Sequence, residues 1–206
     1  MKPNVDLLKQ LGIECELLQF FLSRCPTILG QRTSSLKLRM EYVRNMGIFE
    51  SSKTYAYALV TLAYCLPATF KKKLELLASF GLLEHEIKEL LRKYPVVLNI
   101  SIDKMQKNVG FLINTAGLPA NIIVMYPVIV NHSLETRIKP RYAVFKFISA
   151  TQLDKPFRSL TSMLTMSGKC FLNRYMKDNP FVTRLLEIYR GKFVDLDIIQ
   201  SPFLQG

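Results

Sequence analysis

Four glycines, each followed by an apolar residue, punctuate the chain at nearly equal intervals: Gly12-Ile13, Gly47-Ile48, Gly81-Leu82 and Gly117-Leu118 stand 35, 34 and 36 residues apart. A period this long and regular marks stacked supersecondary units, each too small to bury its own apolar face. Four prolines stand between these marks and open apolar or near-apolar triplets: Pro26-Thr-Ile-Leu, Pro67-Ala-Thr-Phe, Pro95-Val-Val-Leu and Pro127-Val-Ile-Val. The residues one, four and five before each proline are apolar: Cys25, Leu22, Phe21; Leu66, Ala63, Leu62; Tyr94, Leu91, Leu90; Tyr126, Ile123, Ile122. That spacing is one stripe of a helix, and a proline biases its predecessor away from the helical region, so each proline is expected to end a helix.

The same positions before the glycines give a second stripe: Leu11, Leu8, Leu7; Met46, Val43, Tyr42; Phe80, Leu77, Leu76; Ala116, Ile113, Leu112. Glycine closes a helix because the left-handed conformation costs it nothing. The unit is therefore helix, proline stop with a short apolar turn, second helix, glycine stop. Polar connectors such as Gly30–Ser35 and Asn99–Asp103 supply caps for the second helix, and the repeat containing Pro67 reads as compressed, with almost no link after Phe70. The predicted fold is all-α, a curved α-solenoid of helix pairs of about 35 residues, forming a single domain over residues 1–206. Its repeats fall at about 1–12 (partial), 13–47, 48–81, 82–117 and 118–149, with a C-terminal cap over 150–192.

Charge narrows the function. Lys and Arg number 28 against 16 Asp and Glu, a net +12 that points to a polyanionic partner. Residues 1–70 hold 8 basic and 5 acidic side chains and residues 71–206 hold 20 and 11, so the excess lies toward the C-terminal part. The densest patch, Arg137 to Arg174, carries eight basic residues, including Lys155, Arg158, Lys169 and Arg174, and one acid, Asp154. The four cysteines, Cys15, Cys25, Cys65 and Cys170, form no C-x-x-C pair, which argues against a zinc knuckle or a disulfide framework and for a reducing compartment. No apolar run reaches the roughly 20 residues that span a bilayer; the uncharged stretch Tyr55–Phe70 is shorter and contains Pro67. The N-terminus reads as neither a secretory signal nor a transit peptide, so a targeting segment is expected to be missing from this chain.

The segments Leu90-Leu-Arg-Lys-Tyr-Pro-Val-Val-Leu98 and Tyr126-Pro-Val-Ile-Val-Asn-His-Ser-Leu-Glu-Thr-Arg-Ile-Lys-Pro-Arg141 resemble the mitochondrial transcription termination factor family, particularly its plant members. The stretch Phe171–Tyr175 leading to Leu185–Lys192 is similar to that family's C-terminal end, and the resemblance covers nearly all of the chain. It implies a helical solenoid with a basic groove that binds organellar DNA or RNA, in mitochondria or chloroplasts. There it would regulate transcription and its termination, or transcript processing and splicing, as a monomer, beside other gene-expression factors.

A solenoid lined by second helices can lay a row of cations along a phosphate backbone. The candidates are Lys37, Arg39 and Arg44; Lys71, Lys72 and Lys73; Lys104 and Lys107; and Arg137, Lys139, Arg141 and Lys146. Lys71–Lys73 follow Pro67 and so are placed at a helix N-terminus, where an outside anion would relieve the conflict with the dipole. Arg137 and Arg141, four apart, share a helix face and are favoured over Lys139 for one groove. Each of these cations competes with the plainer reading of a solvated helix face, while Phe21, Phe80, Tyr94, Phe111 and Tyr126 fit core stripes.

Enzymatic readings lack a motif. Glu84-His85-Glu86 reads as an exposed helix, His132 as a cap or a phosphate contact, and Ser167-Gly168-Lys169 lacks the earlier glycine and strand of a phosphate loop. No catalytic residue, metal site or cofactor is expected. The rival from another class is a solenoid adaptor holding a protein partner.

Overall fold

The computed structural model describes residues 2–13, 15–50, 52–150, 159–175, 177 and 181–190. The described residues form helices and connecting turns, with no strand among them, so the all-α helical-repeat class holds. The chain divides into two compact units, Met1–Asn131 and His132–Gly206, where one domain was expected; the anticipated repeat 118–149 straddles that division.

The first unit begins with α1 (Lys2–Gln10), which stands in the place of a second helix, ending at Gly12. The next repeat has α2 (Cys15–Arg24), a short α3 (Pro26–Gly30) and α4 (Thr33–Asn45). After it come α5 (Lys53–Tyr64) and α6 (Pro67–Ser79). The following repeat is α7 (Glu84–Lys93), a 3-10 turn (Pro95–Asn99) and α8 (Ile102–Gly110), which runs on through a π-turn (Phe111–Thr115). The unit closes with α9 (Ile122–Met125) and α10 (Val128–Asn131). The stripes meet in one core that includes Leu8, Phe21, Leu36, Leu59, Leu77 and Leu90, all fully buried.

Each glycine stop works as read. Gly12, Gly47, Gly81 and Gly117 have φ of +73, +73, +93 and +66, a region that other residues enter only with strain. The backbone then turns back on the helix, Ile13 N donating to Leu8 O at 3.1 Å, and seats the following apolar residue: Ile13, Ile48 and Leu82 are buried.

Two departures have physical causes. Pro26 and Pro95 lie 14 residues after their glycines but Pro67 lies 20 after Gly47, and the matching position holds Thr61. Without a proline there α5 continues through the site of the apolar turn, and Pro67 instead opens α6 at its first helical position. The repeat is therefore not compressed; its first helix and turn are fused. Leu66, read as a core position, is the exposed N-cap residue of α6. The second departure is the 36-residue interval between Gly81 and Gly117. The π-turn absorbs the added residue, Ala116 N donating to Phe111 O at 2.9 Å, five positions back.

Side-chain caps fall on serines: Ser52 Oγ accepts from Tyr55 N and Ser101 Oγ from Lys104 N. The expected cap in Gly30–Ser35 is not formed, since Arg32 occupies the cap position of α4 without a side-chain bond. In the stripes Leu22, Tyr42 and Tyr126 are 48%, 46% and 40% exposed, so the core reading fails at these three.

The second unit opens with a π-turn (Leu134–Ile138), capped by Ser133 rather than His132, that leads into α11 (Lys139–Ala150). Among described residues α12 (Leu160–Thr165), α13 (Gly168–Tyr175) and α14 (Val182–Tyr189) follow. Val144, Ile148, Met163, Phe171, Leu185 and Ile188 form its core. Of the expected cap 150–192, positions 151–158, 176, 178–180 and 191–192 lie outside the described residues.

Candidate nucleic-acid interface

Every second helix that carries candidate cations also presents one polar side chain inward. Asn4, Arg39, Lys73, Asn108 and Arg141 stand 35, 34, 35 and 33 residues apart, which is the repeat period itself. In the first unit Asn4 Nδ2 donates to the carbonyls of Leu29 (3.1 Å) and Gln31 (2.7 Å), at the end of α3. Lys73 Nζ donates to Leu98 O in the 3-10 turn, and Asn108 Nδ2 to Val130 O (2.8 Å) in α10. Arg39 follows suit where the turn is fused into α5: its Nε donates to Leu62 O at 3.1 Å and its Nη1 to Gln31 Oε1. Lys104, one helical turn before Asn108, reaches Asn131 O at 2.8 Å.

In the second unit Arg141 is 1% exposed and its Nη1 donates to Met163 O (2.7 Å) and Met166 O (2.6 Å). Its guanidinium lies 4.6 Å from the centre of the Phe171 ring. Arg137 joins the same cluster, Nη2 donating to Met166 O at 2.9 Å. Burial, and then the neighbouring Arg137, lower the pKa of Arg141, while Tyr189 opposes them.

The acceptors explain the donors. A short helical turn leaves its last carbonyls without intrahelical partners, and these oxygens form the negative end of its dipole. An amide or cation projected from the preceding second helix satisfies them. Within each unit a second helix is thus tied to an element that follows it by a polar staple.

This corrects part of the candidate list. Lys73 and Arg141 are buried, and Arg39, Lys104 and Arg137 are partly buried and bonded to carbonyls, so these five charges are spent on the fold. Arg137 and Arg141 do share a face, as their spacing required, but it is the inner one. The dipole argument for Lys71–Lys73 also weakens, because α6 starts at Pro67 and places them beyond its first turn.

The remaining candidates point outward. In the first unit Lys37, Lys71, Lys72 and Lys107 are exposed on three second helices. Lys71 pairs with Glu75 at 3.8 Å and Lys107 with Asp103 at 3.0 Å; Lys37 and Lys72 have no ion pair among the described residues. Arg44, also exposed, is engaged by Glu50. In the second unit Lys139 is exposed and bonded to Glu135 (2.6 Å), and Lys146 is exposed without an ion pair among the described residues. Lys155 and Arg158 of the dense basic patch lie outside the described residues.

Residues 1–172 match the mTERF family. The chain belongs to the mTERF family. Among its relatives in Arabidopsis thaliana is the chloroplastic transcription termination factor MTERF8, 24% identical over 171 residues, 83% of this chain and 33% of that protein. The mitochondrial transcription termination factor MTERF15 is 22% identical over 185 residues, 90% of this chain and 41% of that protein. The mTERF chain therefore spans about a third to two fifths of the length of these relatives. No solved structure is significantly similar to it.

The features that suggested chemistry in this mTERF chain have local structural roles. Glu86 accepts from Leu83 N at 2.9 Å and so caps α7, and Ser167 Oγ caps α13 by accepting from Cys170 N at 3.2 Å. No helix among the described residues is long and apolar enough to cross a membrane. Sequence reasoning missed Asn4 and Asn108, although their interval to the basic staples was a signal within reach.

Proposed function

We propose that this mTERF chain binds nucleic acid through the outward lysines of its second helices and regulates gene expression in mitochondria or chloroplasts. The observation that carries the reading is register. On α4, α6 and α8 the inward position holds a staple, whereas Lys37, Lys71, Lys72 and Lys107 stand one or two residues earlier and are exposed. Exposed cations thus recur on three successive second helices, two before the staple on α4 and α6 and one before it on α6 and α8, and a recurrence of charge along the repeats suits a phosphate backbone. The carboxylates beside Lys71 and Lys107 are weak competitors, since an exposed i,i+4 pair contributes only about 0.3–0.5 kcal/mol. The relatives' names support a role in organellar transcription, including its termination; transcript processing and splicing are the alternative use of the same surface.

Titration of the purified protein against labelled duplex DNA, single-stranded RNA and structured RNA at several salt concentrations tests this. Affinity should fall steeply with salt, and changing Lys37, Lys71, Lys72 and Lys107 together to Gln should lower the log–log slope by up to about 3–4. The preferred ligand chooses between transcription and RNA processing. An unchanged slope in the fourfold variant would remove this surface from consideration.

A further inference from the structure

Between α4 and α6 the first unit opens into a cleft of about 570 Å³. Leu38, Tyr42, Leu62, Phe70 and Leu74 are the large apolar side chains of its wall, and no carboxylate lines it. Leu38 and Tyr42 are 50% and 46% exposed. The cleft follows from the sequence register: the position before the staple holds Lys72 in α6 and Lys107 in α8, but Leu38 in α4. Lys71 lies in the lining and Lys37 and Lys72 are exposed on the same two helices, three cations against the exposed Glu41 and Glu75, so the net charge around the cleft is positive.

We infer that this cleft is a docking groove for an amphipathic helix of an acidic partner protein. The partner shares Lys37, Lys71 and Lys72 with the proposed nucleic-acid surface and so competes with nucleic acid for them, while seating its apolar side chains where nucleic acid does not reach. The wall chemistry favours a helix over a base. Three of its large side chains are leucines, and the two rings, Tyr42 and Phe70, close on each other edge to face (centroids 6.0 Å apart, 62° between planes) instead of framing a parallel slot. Apolar side chains at i, i+3, i+4 and i+7 of an incoming helix fit such a trough, and its flanking carboxylates would meet Lys37, Lys71 and Lys72. A second copy of this chain is disfavoured, since each carries +12.

The test uses the full chain and a dye-labelled peptide of about five helical turns, with leucines at that spacing and glutamates on the flanks. Controls are a scrambled peptide of the same composition and a labelled single-stranded RNA, all followed by anisotropy. The patterned peptide should bind at least about tenfold more tightly than the scrambled one. Leu38→Gln, at a half-exposed site, should weaken it by about tenfold while leaving RNA affinity within about twofold. Leu38→Lys separates insertion from charge attraction: a peptide held by charge alone binds this variant more tightly, one seated in the cleft binds it more weakly. Equal binding of patterned and scrambled peptides would overturn the inference, as would an unchanged affinity in Leu38→Gln. RNA should displace the peptide through the shared lysines; loss of RNA affinity in Leu38→Gln would instead assign the cleft itself to nucleic acid.

Discussion

Replacing Arg141 by Leu separates a cation that holds the fold from one that holds a ligand. In the folded unit this guanidinium donates to the carbonyls of Met163 and Met166 at 2.7 and 2.6 Å, approaches Leu164 O at 3.3 Å, and lies over Phe171. Hydrogen bonds from a charged group contribute about 1.5–3 kcal/mol net, and a desolvated cation–π contact about 2. Two effects reduce the sum: leucine regains the desolvation that the buried charge cost, and Arg137 still serves Met166 O at 2.9 Å. A loss of about 3 kcal/mol is the reasoned value, at the low end for breaking a buried charged network. For a chain of this length that corresponds to a fall in Tm of roughly 6–12 °C.

Thermal unfolding followed by circular dichroism, on wild type, Arg141→Leu and Lys139→Gln, measures the contrast. Lys139 is exposed and only two residues away, so its variant should melt within about 2 °C of wild type, as surface substitutions do. Polyanion binding is then compared at a temperature where all three are folded. The staple reasoning fails if Arg141→Leu melts like wild type. It fails equally if that variant loses affinity about tenfold without losing stability, because the guanidinium would then be reaching the ligand.

Tyr55 gives a pH-dependent test. Its buried hydroxyl has no hydrogen-bond partner, and burial, with Glu50 adding and Arg44 opposing, raises its pKa to about 12. A raised value favours the fold below the ordinary phenol pKa near 10 and loses that contribution as pH climbs toward 12, by about 2–3 kcal/mol. Tyr55→Phe should equal or exceed wild type by about 1 kcal/mol at neutral pH. Its urea midpoint should also decline less between pH 10 and 12, and parallel curves would contradict the assignment. Gly47→Ala and Gly110→Ala should shift stability in opposite directions. A Cβ at Gly47 meets nothing within 4 Å, so its cost is the left-handed backbone alone, about 1–2 kcal/mol. A Cβ at Gly110 meets Phe80 at an ordinary 3.7 Å, so the helix gains up to about 1 kcal/mol. Denaturant titration of both variants checks the signs.

The repeat was legible because its punctuation acts through backbone geometry. A glycine at positive φ announces itself whatever surrounds it, and all four did. Proline is a weaker guide, since it ends one helix as readily as it begins the next. Pro67 was read as a stop when it is the first residue of α6, and only the count from Gly47 to Thr61 exposes the difference. The π-turn at Phe111–Thr115 left its trace in the 36-residue interval, but an interval alone does not say where the added residue goes. The candidate site was less legible. Composition gave the sign of the charge, and helical periodicity placed Arg137 and Arg141 on one face, but neither tells which face it is.

That face can be deduced once the carbonyls are counted. A solenoid built on short apolar turns leaves end-of-turn oxygens in need of donors, and those of Leu29, Leu98, Val130 and Met163 receive theirs in buried contacts. Leaving one such group unpaired costs about 1–3 kcal/mol, far more than an exposed lysine contributes through a surface ion pair. The turn carbonyls therefore have first claim on a long polar side chain at the inward position, and a ligand receives what is left. In this chain the inward position lies eight residues before the glycine in α1, α4 and α6, and nine in α8, where the π-turn adds one. Asn, Arg and Lys all occur there, which is the pattern expected of a donor requirement and not of a charge requirement. Cations one or two residues earlier point away from the turn and have no such duty. A basic residue recurring in register is thus evidence for nucleic acid only at the outward positions, where Lys37, Lys71, Lys72 and Lys107 stand.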